Sequence, residues 1–259
     1  MKILSTPSSL EPFVKEVILL ESNNLDSQKK FPFYADGFAG IVYSKSKHPF
    51  FIQPLNKELP DFYLYGQTVQ PISLEVLGKF RLVTLRLFPF AVRILLGVDP
   101  KILVDDCYDL IKVKGVNTQD TIKKLHQTED VNILLEKLVS YFNELLKTAS
   151  INPDHRIKLA TNLILKSKGI ISIKEVRSKL HVAERTFERH FLKEIGVTPK
   201  QFAKIIQFSS SLNQITDDDY IRLTDVSFDN GFADQSHFIR TFKRFTGKTP
   251  KEFQKQISA

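Results

Sequence analysis

Two stretches of this chain, 51 residues apart, follow the same pattern, and that repeat constrains the fold more than any other feature of the sequence. Residues 187–202 read FERHFLKEIGVTPKQF and residues 238–253 read FIRTFKRFTGKTPKEF. Phe187, Arg189, Phe191, Gly196, Thr198, Pro199, Lys200 and Phe202 find Phe238, Arg240, Phe242, Gly247, Thr249, Pro250, Lys251 and Phe253 at the matching places. Upstream the offset is 50, pairing Ile173, Val176 and Val182 with Leu223, Val226 and Phe232, so the second copy carries one extra residue in its turn. Self-similarity of this kind marks one structural unit used twice.

Each repeated position has a physical job. Aromatic residues four apart share one helix face, so Phe187 and Phe191 pack back onto Ile173 and Val176 of the helix before. Gly196 ends that helix in the left-handed conformation, and Thr198-Pro199 caps and opens the next one. Helix, short turn, helix and stop is the helix-turn-helix plan, and Phe238, Phe242, Gly247 and Thr249-Pro250 repeat it. With the rings turned inward, Arg185, Thr186, Glu188 and Arg189 are left on the outer surface of the first unit's second helix. Gln235, Ser236, His237 and Arg240 take the equivalent face of the second unit. In this plan the second helix lies in the major groove of DNA and its early residues meet base edges. Arginine matches guanine there and glutamine matches adenine. These eight residues are the candidate base contacts, and Lys193, Lys200, Lys243, Arg244 and Lys251 are the candidate phosphate contacts; the alternative for each is an ordinary solvated surface. Pro199 to Ile215 would span about 25 Å as a helix. That rod is long enough to hold two reading helices roughly one turn of duplex, about 34 Å, apart.

Charge is distributed in keeping with a polyanionic partner for one half only. The net charge is +8, of which residues 151–259, with 19 Lys/Arg against 12 Asp/Glu, carry +7. Residues 1–150, with 18 against 17, carry +1. A basic domain joined to a neutral one is the expected footprint of a chain that meets nucleic acid with one end. At 259 residues, 42% of them hydrophobic, the chain is long enough for two folded domains. A lone cysteine, Cys107, excludes an internal disulfide, the start lacks the pattern of a signal peptide, and no run approaches a membrane span; together these predict a cytoplasmic protein.

Residues 1–150 read as an α+β domain. Short strands are expected at Gly40-Ile41-Val42-Tyr43, Phe50-Phe51-Ile52 and Phe62-Tyr63-Leu64-Tyr65, with the longest over residues 75–88 and broken by Pro89. Helix replaces strand over 117–149, where Leu134, Leu138, Tyr141 or Phe142, and Leu145 form one apolar stripe ending near Ser150. The stripe suits packing against the sheet, with a dimer seam as the alternative. Residues 149–154 (ASINPD) are the expected boundary. Beyond it seven helices are expected, at about 155–168, 172–180, 184–194, 199–215, 222–230, 235–245 and 250–257, giving an all-α domain with two helix-turn-helix motifs.

The C-terminal hundred residues resemble the DNA-binding domain of AraC/XylS-type regulators. The resemblance is carried by Gly231-Phe232-Ala233-Asp234-Gln235-Ser236-His237-Phe238-Ile239-Arg240-Thr241-Phe242-Lys243-Arg244, by Gly247-Lys248-Thr249-Pro250-Lys251-Glu252-Phe253, and by Ala183 to Phe191 in the first unit. Arg177, His181 and Asn230 depart from it, standing where that family usually has a small residue, a glycine and an apolar residue; Ser227 conforms. The resemblance implies activation or repression of transcription by promoter binding. It also implies a cupin-like or related β-rich sensor or dimerisation domain over residues 1–150. The partners expected are double-stranded DNA and RNA polymerase, with a small-molecule effector and a second copy of the chain as further candidates, and no membrane.

Enzymatic readings find little footing. His-Glu-x-x-His, a cysteine pair for zinc, a glycine-rich phosphate loop and a Gly-x-Ser-x-Gly elbow are all missing from the sequence. The six histidines are scattered, and His48 is the only one before residue 126, so neither a metal nor a cofactor is expected. A DNA-repair methyltransferase would need a reactive thiol. Cys107 lies among Asp105, Asp106 and Asp109, whose carboxylates would raise its pKa. A DNA-binding module without ligand control is the remaining alternative.

Overall fold

The computed structural model describes residues 1–149 and 154–257. Its N-terminal part builds β1 (Lys2–Leu4), β2 (Val14–Ser22), β3 (Gln28–Phe33), β4 (Ala39–Ser46), β5 (Phe51–Gln53), β6 (Lys57–Glu58), β7 (Phe62–Tyr65), β8 (Ile72–Leu77) and β9 (Phe80–Leu87). A short helix α1 (Ala91–Leu96), a 3-10 turn over Pro100–Leu103 and a last strand β10 (Cys107–Asp109) follow. The strands make two antiparallel sheets, in the orders β1-β2-β9-β4-β7-β10 and β3-β8-β5-β6.

Burial explains why β4 reads as an unbroken apolar run rather than an alternating one. Val42 faces the second sheet, in a core with Phe50, Tyr63 and Phe80. Ile41 and Tyr43 face the other way, into a core completed by Leu134, Leu138, Tyr141, Phe142 and Leu145. A strand covered on both sides has no polar face to alternate. The helical stripe is therefore packed against the sheet, with the Tyr141 and Phe62 rings 4.8 Å apart and the Tyr141 and Thr118 hydroxyls 2.8 Å apart.

Three expectations need correction. The single strand over 75–88 is two strands, because the chain turns at Gly78-Lys79 and passes from the smaller sheet to the larger: β8 pairs with β3 and β5, whereas β9 lies between β2 and β4. The longest strand is β2, nine residues, which the alternation did not single out. The helical region near 117–149 is divided into α2 (Thr118–His126) and α3 (Val131–Thr148), because the Asp130 carboxylate accepts from the Asn132 and Ile133 N–H groups and starts a new helix.

Seven C-terminal helices stand where the periodicity places them: α4 (His155–Lys166), α5 (Ile173–Leu180), α6 (Glu184–Ile195), α7 (Pro199–Thr216), α8 (Leu223–Asp229), α9 (Gln235–Thr246) and α10 (Pro250–Ile257). Of the expected boundary, residues 150–153 lie outside the described residues, and Asp154 caps α4 by accepting from the Arg156 N–H at 2.9 Å. The two parts share one hydrophobic core. Ala35, Phe90 and Ile94 of the N-terminal part belong to the same buried cluster as Phe191, Ile195, Phe202 and Ile206.

Candidate nucleic-acid interface

The repeat folds as two helix pairs, α5–α6 and α8–α9, joined by α7. Phe187 and Phe191 on α6 and Phe238 and Phe242 on α9 are each no more than 1% exposed, and Val176 and Val226 of the preceding helices are fully buried in the same core. Gly196 and Gly247 end α6 and α9 with φ of 88° and 76°, a conformation that costs glycine little and other residues more. Thr198 and Gln201 then close a reciprocal capping box at the start of α7, with Pro199 in its first turn. At 18 residues, α7 is about 27 Å long.

With the phenylalanines inward, the opposite faces are free. Arg185, Glu188, Arg189 and Lys193 on α6 are exposed, as are Gln235, Ser236, Arg240, Lys243 and Arg244 on α9, and Lys200 and Lys251 at the starts of α7 and α10. Thr186 and His237 are only half-exposed. The His237 ring stands edge-on to Phe232 at 5.5 Å, and its backbone N–H donates to the Asp234 carboxylate at 2.6 Å, which caps α9. Arg244 reaches back over the Phe245 ring, 5.8 Å from its centre. The thirteen sequence-derived contact candidates thus fall into two groups, one on each reading helix and the turn that follows it.

The two reading helices differ in charge. α9 carries Arg240, Lys243 and Arg244 and no acid, whereas in α6 three acids balance Arg185, Arg189 and Lys193. Before α6 lies an open depression of about 440 Å³ lined by Lys174, Arg177, Ser178, His181, Val182 and Ala183. The sequence reading gave Lys174 no role and treated Arg177 and His181 only as departures from a pattern. The available signal was the density of Lys174, Arg177, Lys179 and His181 just ahead of a reading helix. In contrast, residues 217–229 hold five aspartates and one arginine, so this segment repels phosphate where it is exposed.

Residues 177–256 match the family described as "Helix-turn-helix domain", and residues 4–109 match a domain of unknown function, DUF6597. Uncharacterised HTH-type transcriptional regulators of Staphylococcus aureus are 29% identical over 84 residues, covering 32% of this chain and 11% of theirs. The chain therefore spans about a tenth of the length of the curated relatives it matches. Among solved structures, ToxT from Vibrio cholerae superposes along the whole chain. One structure has a TM-score of 0.50 at 15% identity, and another, from strain O395, 0.51 at 13%; each covers 94% of this chain and 98% of ToxT. Residues 177–256 are thus similar to the helix-turn-helix domain of transcriptional regulators.

The helix-turn-helix region accommodates its three unusual residues by local chemistry. Arg177, largely covered, pairs with the exposed Glu184 at 2.8 Å, which gives the guanidinium a charged partner beside α6. His181 takes the left-handed conformation, φ 51°, in place of glycine. Asn230, 2% exposed, donates to the Gln214 side chain at 2.7 Å and to the Val226 carbonyl at 2.9 Å, which meets the cost of burying an amide. Ser227 is buried, as its small size allows.

Cys107 lies outside this interface. Its thiol is pushed up to about 11, chiefly by burial, with Asp106 and Asp109 adding to the shift and Lys57 opposing it. The expected direction holds; burial rather than the carboxylates is the main cause. Among the described residues, no helix is long and apolar enough to cross a membrane.

Proposed function

We propose that the chain is a bacterial, cytoplasmic, sequence-specific DNA-binding transcription regulator that inserts α6 and α9 into successive major-groove segments of a promoter. One observation carries this reading: two copies of one helical device bury matching phenylalanines and leave Arg185 and Arg189, and Gln235, Ser236 and Arg240, on free surfaces. In this reading Arg185, Arg189 and Arg240 bond guanine, Gln235 bonds adenine, Glu188 accepts from cytosine, and Thr186, Ser236 and His237 complete the base contacts. Lys193, Lys200, Lys243, Arg244 and Lys251 hold phosphates and set the register. Residues 151–259 form the DNA-binding domain and residues 1–150 a sensor or dimerisation domain.

Further partners in this reading are RNA polymerase, a small-molecule effector and a second copy of the chain. An effector is in keeping with the ToxT-like fold, since one ToxT structure holds (E)-4-(8-methylnaphthalen-1-yl)but-3-enoic acid. The space between the two sheets here is filled by Phe50, Tyr63, Phe80 and Leu82, so an effector would enter at the edges of the sheets or by displacing these side chains. The pKa of Cys107, raised well above neutral, works against a thiolate nucleophile and hence against the methyl-transfer alternative.

The test is selection of duplexes from a random pool by the full chain, followed by footprinting with variants. Arg189→Ala and Arg240→Ala each weaken binding to the selected site by about 1–3 kcal/mol and relax base preference at one position. Unchanged affinity in both variants refutes the reading faces.

A further inference from the structure

The two units of the repeat are not held alike, and the difference lies at the far end of the reading helix. At the offset of 51, Glu194 on α6 corresponds to Phe245 on α9. Phe245 is 4% exposed and stacks on Phe208 at 4.7 Å, inside its own domain. Glu194 instead meets Arg93 of α1, in the other domain, with Nε and Oε1 3.1 Å apart and both side chains largely covered, 17% and 13% exposed. Two residues further on, Gly196 lies against the 3-10 turn so closely that a methyl group there would sit 2.8 Å from the Pro100 carbonyl oxygen. The matching Gly247 is exposed, and its nearest neighbour in the same sense is Pro71 at 3.9 Å.

A carboxylate thus occupies a site that the other copy fills with a core aromatic ring, and its partner comes from the other domain. Burial raises the Glu194 pKa, and Arg93 is the largest of the charges that oppose the rise, ahead of Lys193 and His190. Earlier on the same helix, His190 approaches the Asp154 carboxylate at 3.4 Å. The end of α6 is therefore tied by an ion pair to the N-terminal part, whereas the end of α9 rests on Phe208 of α7, and the N-terminal part reaches the second unit only by apolar contact, through Pro71 near Gly247 and Tyr34 against Phe253.

We propose that Arg93 is a positioning residue for DNA recognition: through Glu194 it sets the pose of α6 in the groove, so that this ion pair governs the half-site read by the first unit and leaves the half-site read by the second unit alone. The inference rests on the reading of α6 and α9 as DNA-reading helices. It makes the two half-sites unequal in their dependence on the Arg93–Glu194 pair.

The experiment compares duplexes selected from a random pool by full-length wild type, Arg93→Gln, Arg93→Lys and Glu194→Gln. Selections with Arg189→Ala and Arg240→Ala mark which half of the site belongs to α6 and which to α9. Arg93→Gln and Glu194→Gln flatten base preference by about two- to thirtyfold in the α6 half and leave the α9 half as in wild type. Arg93→Lys, which keeps the charge, flattens it less, and it carries the test alone if circular dichroism shows the Gln variants unfolded. Equal flattening in both halves, as loss of a merely structural residue would give, or no change in either half, overturns the proposal. A wild-type chain that enriches no sequence at all overturns the regulator reading, and this inference with it.

Discussion

Replacing Phe242 by alanine tests the orientation of the second reading helix without any DNA present. The ring is fully buried and touches three other aromatic rings, with centroids 5.5 Å from Phe208, 5.7 Å from Phe238 and 5.5 Å from Phe253. Phe208 belongs to α7 and Phe253 to α10, so the cavity left behind would be walled by three helices that cannot all close in. A phenylalanine truncated under such conditions costs about 3–5 kcal/mol, and the packed aromatic neighbours place this site toward the upper end. For a chain of this size each kcal/mol lowers Tm by about 2–4 °C, so a fall on the order of 10 °C is expected. Urea and thermal unfolding followed by circular dichroism measure it. Phe228→Ala is the matched comparison, because that ring is 70% exposed on α8 and its loss changes stability by no more than about 0.5 kcal/mol. If Phe242→Ala costs less than about 1 kcal/mol, or if Phe228→Ala costs as much, the faces of the second unit have been assigned the wrong way round.

Two further outcomes follow from charge. Lys243→Ala and Arg244→Ala weaken binding to all duplexes alike, and each lowers the slope of log affinity against log salt by about one; a salt titration that coincides with wild type excludes a phosphate contact. Glu252 accepts from the backbone N–H of Thr249 at 2.7 Å, which holds its carboxyl below the usual 4.5. A depressed folded-state pKa stabilises above the unfolded value and is lost as pH falls through the folded one. The stability gap between wild type and Glu252→Gln is therefore present at neutral pH and narrows as pH drops below 4.5; a gap that does not narrow on acidification below 4.5, by urea unfolding, removes the charged cap from the account.

The α-helical domain was legible because its signals are local. A phenylalanine pair at spacing four, a glycine stop and a Thr-Pro start all lie within sixteen residues, and each acts through its own turn of helix. The β domain was harder to read for the opposite reason. Whether Leu77 and Phe80 continue one strand or end one and begin another depends on which sheet each segment joins, a choice made by β2, β3, β4 and β5 far away in sequence. β4 was marked by its apolar run at Gly40 to Tyr43 and not by alternation, because its two faces are covered by different elements. At the interface the sequence identified outward residues correctly from the inward ones, yet it did not connect Lys174 with the depression before α6, since that grouping needs the turn at His181 to be closed.

Repetition in a sequence also shows where two copies cease to be equivalent, and that contrast is more informative than the identities. The shared positions are those each unit needs in order to fold: the rings, the stop and the cap. Where the copies diverge, each residue answers to its own surroundings. Phe245 completes an interior that includes α7, whereas Glu194 faces a neighbouring domain and therefore bears a charge that domain can neutralise. A partly buried carboxylate without a partner would destabilise the chain, so the Glu194 position makes sense only with α1 docked against it. Losing the Arg93–Glu194 pair should then be felt first at the end of α6, and only weakly at α9, whose end is held by aromatic packing on Phe208 of α7.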